Sequence, residues 1–99
     1  RRRMVKHIVM WKLKEENKAE NAAKMCDILR DLKGKVPVIR DLSVGVDFNR
    51  SDAAYDVALI VTLNTPADVE IYQKHPDHVK AGDFIKGVIS ARAVVDFEC

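Results

Sequence analysis

The stretch of sequence that decides the fold is residues 55–63, which read YDVALIVTL. Seven of its nine side chains are apolar, and such a run is typical of a β-strand. Alternate residues of a strand point to opposite faces of the sheet. One face therefore receives Tyr55, Val57, Leu59, Val61 and Leu63, and the other receives Ala58 and Ile60. A strand that is apolar on both sides predicts a sheet that is covered on both faces.

Three further segments, 5–13, 39–48 and 91–98, are also rich in strand-forming residues. The first alternates in the same way, with Val5, His7, Val9, Trp11 and Leu13 on one face and Ile8 and Met10 on the other. The second places Leu42, Val44, Val46 and Phe48 along one face. We therefore predict four strands, of which at least two are apolar on both faces.

An amphipathic helix is predicted after the first strand, because apolar residues recur there at spacings of three and four. These residues are Ala22, Met25, Leu29, Leu32 and Val36. Asn17 followed by Glu20 predicts a capping box at the start of this helix. Gly34 and Pro37 mark its end.

A second helical segment follows the third strand and is broken. Thr65 and Pro66 predict its start, and the pair His75-Pro76 interrupts it, so that Pro76 opens another helix. The residues expected in the core from that helix are Val79, Phe84, Ile85 and Val88. The resulting order, βαββ(αα)β, is the split-βαβ plan of ferredoxin-like folds. We predict one α+β domain with a four-stranded antiparallel sheet.

Two apolar sheet faces need two covers, and the helical segments supply only one. The uncovered face would be too large an apolar patch for a soluble monomer. A second copy of the chain, packed sheet against sheet, is the simplest cover, so we predict a homodimeric α/β barrel. The alternative is a monomer whose open groove binds a hydrophobic ligand.

Composition and charge exclude several classes of protein. The chain has 99 residues, 47% hydrophobic and 32% charged, which suits one globular domain. We place this domain at residues 4–98 and interpret residues 1–3, all arginine, as an N-terminal extension or a remnant of cloning; the alternative is a basic arm. Without them the chain has 14 basic and 15 acidic residues. That balance lacks the clustered positive charge of a nucleic-acid binder.

The sequence also predicts a cytoplasmic location. No apolar run approaches the roughly 20 residues that span a bilayer, and the N-terminus does not resemble a signal peptide. Cys26 and Cys99 form neither a disulfide framework nor a CxxC motif, so we expect two free thiols.

Four segments together resemble the stress-responsive A/B-barrel family: residues 4–13 (MVKHIVMWKL), 54–57 (AYDV), 72–79 (YQKHPDHV) and 93–97 (AVVDF). The most specific feature is the Y-x-x-H-P-x-H pattern combined with the K-H pair of the first strand. The resemblance covers residues 4 to about 98 and implies a homodimer whose two four-stranded sheets form a barrel. It does not imply one activity, since most members have none assigned. A plant branch contains a polyketide cyclase that works without a cofactor.

The candidate site residues are His7, Tyr72, His75 and His78, with Val9 and Trp11 beside His7 on the same strand face. By resemblance to the cyclase branch, His78 matches a general base, with Tyr72 and His7 as pocket partners. An imidazole that titrates near neutrality can remove a proton α to a carbonyl, and a phenol can hydrogen-bond the enolate that forms. A mostly apolar barrel suits a small aromatic or polyketide-like ligand.

Structural roles are the alternatives for the same residues. His7 can bond a neighbouring carbonyl within the core, and Tyr72 can pack its ring with the hydroxyl at the surface. His75, which precedes a proline, is expected to cap the next helix, and His78 can be exposed to solvent.

The sequence therefore supports two functions. The first is a small homodimeric protein that binds a hydrophobic or aromatic ligand in the barrel without a reaction. The alternative is a cofactor-free enzyme in which His78 and Tyr72 transfer a proton α to a carbonyl. A zinc site at His75 and His78 lacks further convergent ligands, and we predict no cofactor, metal, nucleic-acid or membrane partner.

Overall fold

The computed structural model describes residues 3–99, so Arg1 and Arg2 of the predicted extension lie outside the described residues. Seven elements follow in the order βαββααβ, which confirms the predicted fold class. They are β1 (Val5–Leu13), α1 (Lys18–Lys35), β2 (Asp41–Val46), β3 (Val57–Leu63), α2 (Pro66–Lys74), α3 (Pro76–Val88) and β4 (Ile89–Glu98).

The four strands form one antiparallel sheet in the order β2-β3-β1-β4. Its register places Val9 opposite Leu59 on one side and opposite Val94 on the other. Because opposed residues point to the same face, His7 shares its face with Asp96, and Trp11 shares its face with Arg92. β4 is therefore an edge strand, and within residues 3–99 it pairs with β1 alone.

The helices cover the sheet face that carries Val9, Leu59 and Val61, all of which are buried. The predicted stripe of α1 is confirmed, since its buried residues are Ala22, Met25, Cys26, Leu29 and Leu32. Cys26 is a buried free thiol and Cys99 an exposed one. Within residues 3–99, no helix is both long enough and apolar enough to cross a membrane.

The opposite face of the sheet, which we call the open face, has no helix over it. Its apolar side chains are Ile8, Met10, Ala58, Ile60, Ala93, Val95 and Phe97. Several of them are largely exposed, with Val95 at 60%. The prediction that the strands are apolar on both faces is therefore confirmed for β1 and β3.

Two predicted strands are longer than the observed ones. β2 spans Asp41–Val46 rather than residues 39–48, and β3 begins at Val57 rather than residue 55. The chain turns between them because the Asp47 carboxylate accepts the backbone N–H of Arg50, whose φ of 53° is left-handed. Phe48 therefore lies beyond the strand and is 94% exposed, so its predicted place on the sheet face is wrong.

The predicted starts of α1 and α2 have different outcomes. Thr65 and Asp68 form a full capping box on α2, which confirms that start signal. Asn17 stands at the N-cap position of α1, but its backbone is left-handed and its side chain makes no capping bond, so the box predicted there is wrong. In α3 the buried residues include Ala81 and Ile85, one turn apart. Val79 lies on another side of that helix and is half exposed, contrary to expectation.

Candidate functional site

A cleft of about 260 Å³ lies between the β1–β4 edge of the sheet and α3. Most of its wall is apolar, and a few polar side chains project into that wall. The apolar lining comprises Val9, Trp11, Leu29, Leu59, Ala81, Ile85 and Ile89, and the polar lining comprises His7, Tyr72, His78, Lys86 and Arg92. Such a combination is typical of small-molecule sites.

A larger depression of about 520 Å³ lies at the β2–β3 connection and includes residues of the open face, such as Met10 and Ile60. No histidine lines it, whereas the smaller cleft contains His7, His78 and Tyr72. We therefore take the smaller cleft as the candidate site, because the groups capable of acid–base chemistry are there.

Tyr72 and His78 meet because the helix breaks between them. Tyr72 lies near the end of α2 and His78 in the first turn of α3, and Pro76 separates the two helices. Their ring centroids are 4.5 Å apart in an edge-to-face arrangement. The break between α2 and α3 thus brings a phenol and an imidazole together inside the cleft.

Both of these side chains carry a polar atom without a partner in the protein. Within residues 3–99, three buried side-chain polar atoms lack a hydrogen bond, and they are Asn64 Oδ1, Tyr72 Oη and His78 Nδ1. Two of the three belong to the cleft. Leaving a buried polar group unpaired costs about 1–3 kcal/mol, so such atoms mark places where a ligand or water is expected.

Burial also fixes the protonation of this pair. It raises the pKa of the Tyr72 hydroxyl, with only a small opposing effect of the Arg92 charge, so the phenol stays protonated. Burial likewise lowers the pKa of His78 below its ordinary value of 6.5. The backbone of Gln73 opposes this shift through a hydrogen bond, and the nearby charges of His7 and Arg92 add to it. At neutral pH the site therefore holds a neutral phenol beside a neutral imidazole.

His7 is almost fully buried on β1, with 1% of its surface exposed. Its Nδ1 lies 2.5 Å from Asp96 Oδ1 on β4, directly opposite in the register. Because a carboxylate only accepts, His7 Nδ1 carries the proton and donates it, which leaves Nε2 as the other ring nitrogen. The His7 ring also packs edge-on against Tyr72, with centroids 5.5 Å apart. The expected alternative partner of His7, a backbone carbonyl, is thus replaced by a carboxylate.

The remaining predicted site residues separate into two groups. Val9 and Trp11 line the cleft beside His7, and Trp11 forms part of the wall without filling the space. His75 lies outside the cleft: its Nδ1 accepts the backbone N–H of Asp77 at 3.1 Å and so caps α3. The capping role expected for His75 is confirmed.

Sequence reasoning missed two residues of the site, Asp96 and Arg92. Both lie on β4 and face the helices, because the register sets them opposite His7 and Trp11. In the sequence these two residues are part of the last predicted strand, 91–98, with no local pattern that marks them as site residues. The alternation of β4 could have found them, but only once its pairing with β1 was known.

The groups present are those of organic acid–base chemistry. Within residues 3–99, no three His, Cys, Asp or Glu side chains lie together as a metal site would require. The cleft instead holds an imidazole able to accept a proton, a phenol able to donate a hydrogen bond and a second imidazole fixed by a carboxylate.

Comparisons with known proteins agree with this architecture. The sequence profile of the stress-responsive A/B barrel domain matches residues 5–99. A search of curated protein sequences gave no match. Among solved structures, a dimeric protein of unknown function with a ferredoxin-like fold from Bacteroides fragilis is 34% identical, with a TM-score of 0.89, covering 97% of this chain and 96% of its own.

Two more distant structures share the fold. A dimeric ferredoxin-like protein of unknown function from Thermobifida fusca is 22% identical, with a TM-score of 0.88, covering 100% of this chain and 93% of its own. The hydroxynitrile lyase of Passiflora edulis is 16% identical, with a TM-score of 0.85, covering 97% of this chain and 93% of its own. At these identities the likeness extends to the fold alone.

Proposed function

This chain belongs to the stress-responsive A/B barrel domain family, and we propose that it is a homodimeric, cofactor-free enzyme that moves a proton α to a carbonyl of a small, largely apolar substrate. Sequence alone placed a ligand-binding protein without a reaction first. The contents of the cleft favour the enzyme, because the polar groups in it are the complementary pair that this chemistry needs.

The proton transfer assigns one role to each of the two central side chains. An unprotonated ring nitrogen of His78 takes the proton from the carbon next to the carbonyl. The electron pair of the broken C–H bond moves onto the carbonyl oxygen, and the Tyr72 hydroxyl donates a hydrogen bond to the enolate that forms. Delivery of the proton from His78 to the oxygen, or to a different carbon of a conjugated substrate, completes an isomerisation. In a cyclisation the enolate carbon attacks a second carbonyl of the same substrate, and the alkoxide that forms takes the proton from His78.

One observation carries this proposal: the Tyr72 hydroxyl and His78 Nδ1 are buried in the same cleft, their rings 4.5 Å apart, and neither has a partner in the protein. The opposite directions of their pKa shifts support it. A base must be unprotonated and an enolate-stabilising donor must keep its proton, and burial favours both states at neutral pH.

We assign His7 and Asp96 a positioning role. The carboxylate holds the imidazole of His7 in one tautomer, and the His7 ring packs against Tyr72. This chain of contacts, from Asp96 through His7 to Tyr72, holds the phenol in place beside His78.

The test measures, by NMR in D₂O, how fast the α-hydrogens of phenylacetone and phenylpyruvate exchange for deuterium. His78→Ala should lower the catalysed exchange rate by at least about 100-fold, the usual contribution of a general base. His75→Asn is the matched control, because asparagine keeps the helix cap while removing an imidazole outside the cleft. Exchange that survives in His78→Ala would remove the catalytic role of this residue.

The pH profile sharpens the same test. Since the pKa of His78 is lowered from 6.5, the unprotonated base is fully present at neutral pH. The exchange rate should be flat through neutrality and should fall only as the pH drops below 6.5. A rate that already rises steeply between pH 7 and 8 would point to a different base.

The homodimer rests on the open face, whose seven apolar side chains have no cover in one chain. Support comes from the 34% identical Bacteroides fragilis protein, which is described as dimeric. Val95→Glu places a charge on that face, at its most exposed apolar side chain, and should yield monomers in analytical ultracentrifugation. Ile71→Glu is the control, since Ile71 is similarly exposed but lies on α2, and it should leave the dimer intact. Monomeric wild-type protein would contradict the proposal.

A binding protein without a reaction is the second candidate. The apolar wall of the cleft favours it, because apolar lining gives affinity for hydrophobic ligands without requiring chemistry. Tight binding of phenylacetone combined with no exchange above the uncatalysed rate would select this candidate.

A further inference from the structure

Among the described residues 3–99, two cationic side chains and no acidic side chain line the cleft. Arg92 comes from β4 and Lys86 from α3. The other polar side chains of the lining are Tyr72, His78 and His7, and His7 is bonded to Asp96. Asp96 itself does not line the cleft, and its carboxylate is engaged by His7. The charge of the lining is therefore positive, and nothing within it offsets that charge.

Arg92 is also without a partner. Within residues 3–99, its guanidinium takes part in no ion pair or side-chain hydrogen bond. Other cations near carboxylates, such as Arg50 and Lys18, do form such pairs in this structure. The positive charge of Arg92 acts on both central groups: it opposes the rise in the pKa of Tyr72 and contributes to the fall in the pKa of His78.

We propose that the cleft takes a small organic acid whose carboxylate binds Arg92, with Lys86 adding positive charge, and whose apolar body packs on Val9, Leu59 and Ile85. Arginine is suited to this task because its planar guanidinium pairs with a carboxylate through two parallel hydrogen bonds. This inference rests on the proposed function, because it names the substrate class of the same site: a keto acid with an apolar side chain.

The size of the cleft agrees with that class. At about 30 Å³ for each water molecule, 260 Å³ corresponds to about nine water-sized groups. A keto acid with a short alkyl chain has about this many non-hydrogen atoms, and one with a single aromatic ring has a few more. The carbonyl of such an acid is adjacent to the carboxylate or one carbon removed, so anchoring the carboxylate also limits where the acidic C–H can lie relative to His78.

The test uses two unreactive probes of nearly the same shape, phenylacetate and phenylacetamide, with binding measured by calorimetry. Wild-type protein should bind the anion at least about tenfold more tightly than the amide, since a charge-assisted pair is worth roughly that factor. Arg92→Gln should remove most of this preference, and Arg92→Lys should keep part of it. The preference should weaken as salt is raised, because Arg92 is exposed to solvent.

Matched variants test whether the preference for the anion depends on the overall charge of the protein rather than on the charges in the cleft. Arg40→Gln removes an exposed arginine outside the cleft, and Lys80→Gln removes an exposed lysine from the same helix as Lys86. Both should leave the preference for phenylacetate unchanged, whereas Lys86→Gln should reduce it by a smaller factor than Arg92→Gln. Thermal unfolding of each variant verifies that the fold is retained.

Each outcome bears on this inference separately from the proposed function. Equal binding of the two probes, no detectable binding of phenylacetate, or an unchanged preference in Arg92→Gln would overturn the organic-acid inference. If the α-hydrogens of phenylacetone then exchanged as fast as those of phenylpyruvate, the proposed enzyme function would be retained, with a neutral substrate. A strong preference for phenylacetate without any α-hydrogen exchange would retain the inference and remove the enzyme.

Discussion

Two buried polar clusters lie in different parts of the molecule, and they are built in opposite ways. The first surrounds Asp56, just before β3, and the second is the pair of Tyr72 and His78 in the cleft. Asp56 is only 5% exposed, yet its carboxylate is fully engaged. It accepts the backbone N–H of Leu13 at 2.7 Å and a guanidinium N–H of Arg50 at 2.8 Å, and it lies 3.6 Å from the Lys18 ammonium.

These contacts join three parts of the chain. They tie the end of β1 to the chain entering β3 and to the first turn of α1. Burial raises the pKa of Asp56, but the Leu13 N–H and the charges of Arg50 and Lys18 outweigh it, and the net pKa lies below the ordinary value of 3.8. A buried carboxylate that remains ionised in this way has a structural role.

The cleft has the opposite property. The Tyr72 and His78 rings pack edge to face, and Tyr72 Oη and His78 Nδ1 have no hydrogen-bond partner within residues 3–99. Burial of a polar side chain therefore does not by itself indicate function. What separates the two clusters is whether the surrounding protein completes the hydrogen bonds of the buried groups.

The largest effect on stability is expected from Asp56→Ala. The variant leaves the buried Leu13 N–H without an acceptor and should lose about 2–3 kcal/mol of unfolding free energy. Denaturation with urea at pH 7 measures it. Because the pKa of Asp56 is lowered, its stabilising effect is complete above pH 3.8 and is lost as the pH falls through the lower folded value. The difference from wild type should therefore shrink in acid.

The matched control for Asp56 is Asp47→Asn. Asp47 also pairs with Arg50, but it lies in the exposed turn, and asparagine can still accept the backbone N–H of that residue. This variant should lose less than about 1 kcal/mol. Equal losses at the two positions would show that burial at Asp56 adds nothing.

A smaller effect, with the opposite sign, is expected in the cleft. Tyr72→Phe removes a buried hydroxyl that has no protein partner, so its unfolding free energy should equal that of wild type or exceed it by up to about 1 kcal/mol. Its α-hydrogen exchange activity should nevertheless fall. Tyr55→Phe, at a half-buried tyrosine outside the cleft, provides the reference. If Tyr72→Phe instead lost more than 1 kcal/mol, the hydroxyl would be a structural group like Asp56 and the comparison would fail.

Local patterns predicted those elements whose signals lie close together in the chain. The alternation in β1 and β3 gave both apolar faces, and Thr65 with Pro66 gave the start of α2. The same approach failed where a local pattern has two readings. Phe48 continues the alternation of β2, but the hydrogen bond between Asp47 and Arg50 turns the chain before it. Asn17 fits a capping box, but its left-handed backbone prevents the bond.

The candidate site was predicted in part for the same reason. Tyr72, His75 and His78 are neighbours in the chain, so the effect of the helix break at Pro76 on them could be anticipated, including the capping role of His75. His7 could be assigned to the same apolar face as Val9 and Trp11 from alternation alone. Asp96 lies 89 residues from His7, and no local pattern connects them.

The sequence by itself determined the order of the elements, the two apolar faces of the sheet and the residues at which the second helix breaks. These follow from alternation, helical spacing and the geometry of proline, all of which act over a few residues. The tertiary structure decided the rest. Antiparallel pairing of β4 with β1 placed Asp96 on His7 and turned Arg92 into the cleft. Packing also left Tyr72 and His78 unpaired while it satisfied Asp56, because the partners of a buried group come from distant parts of the chain.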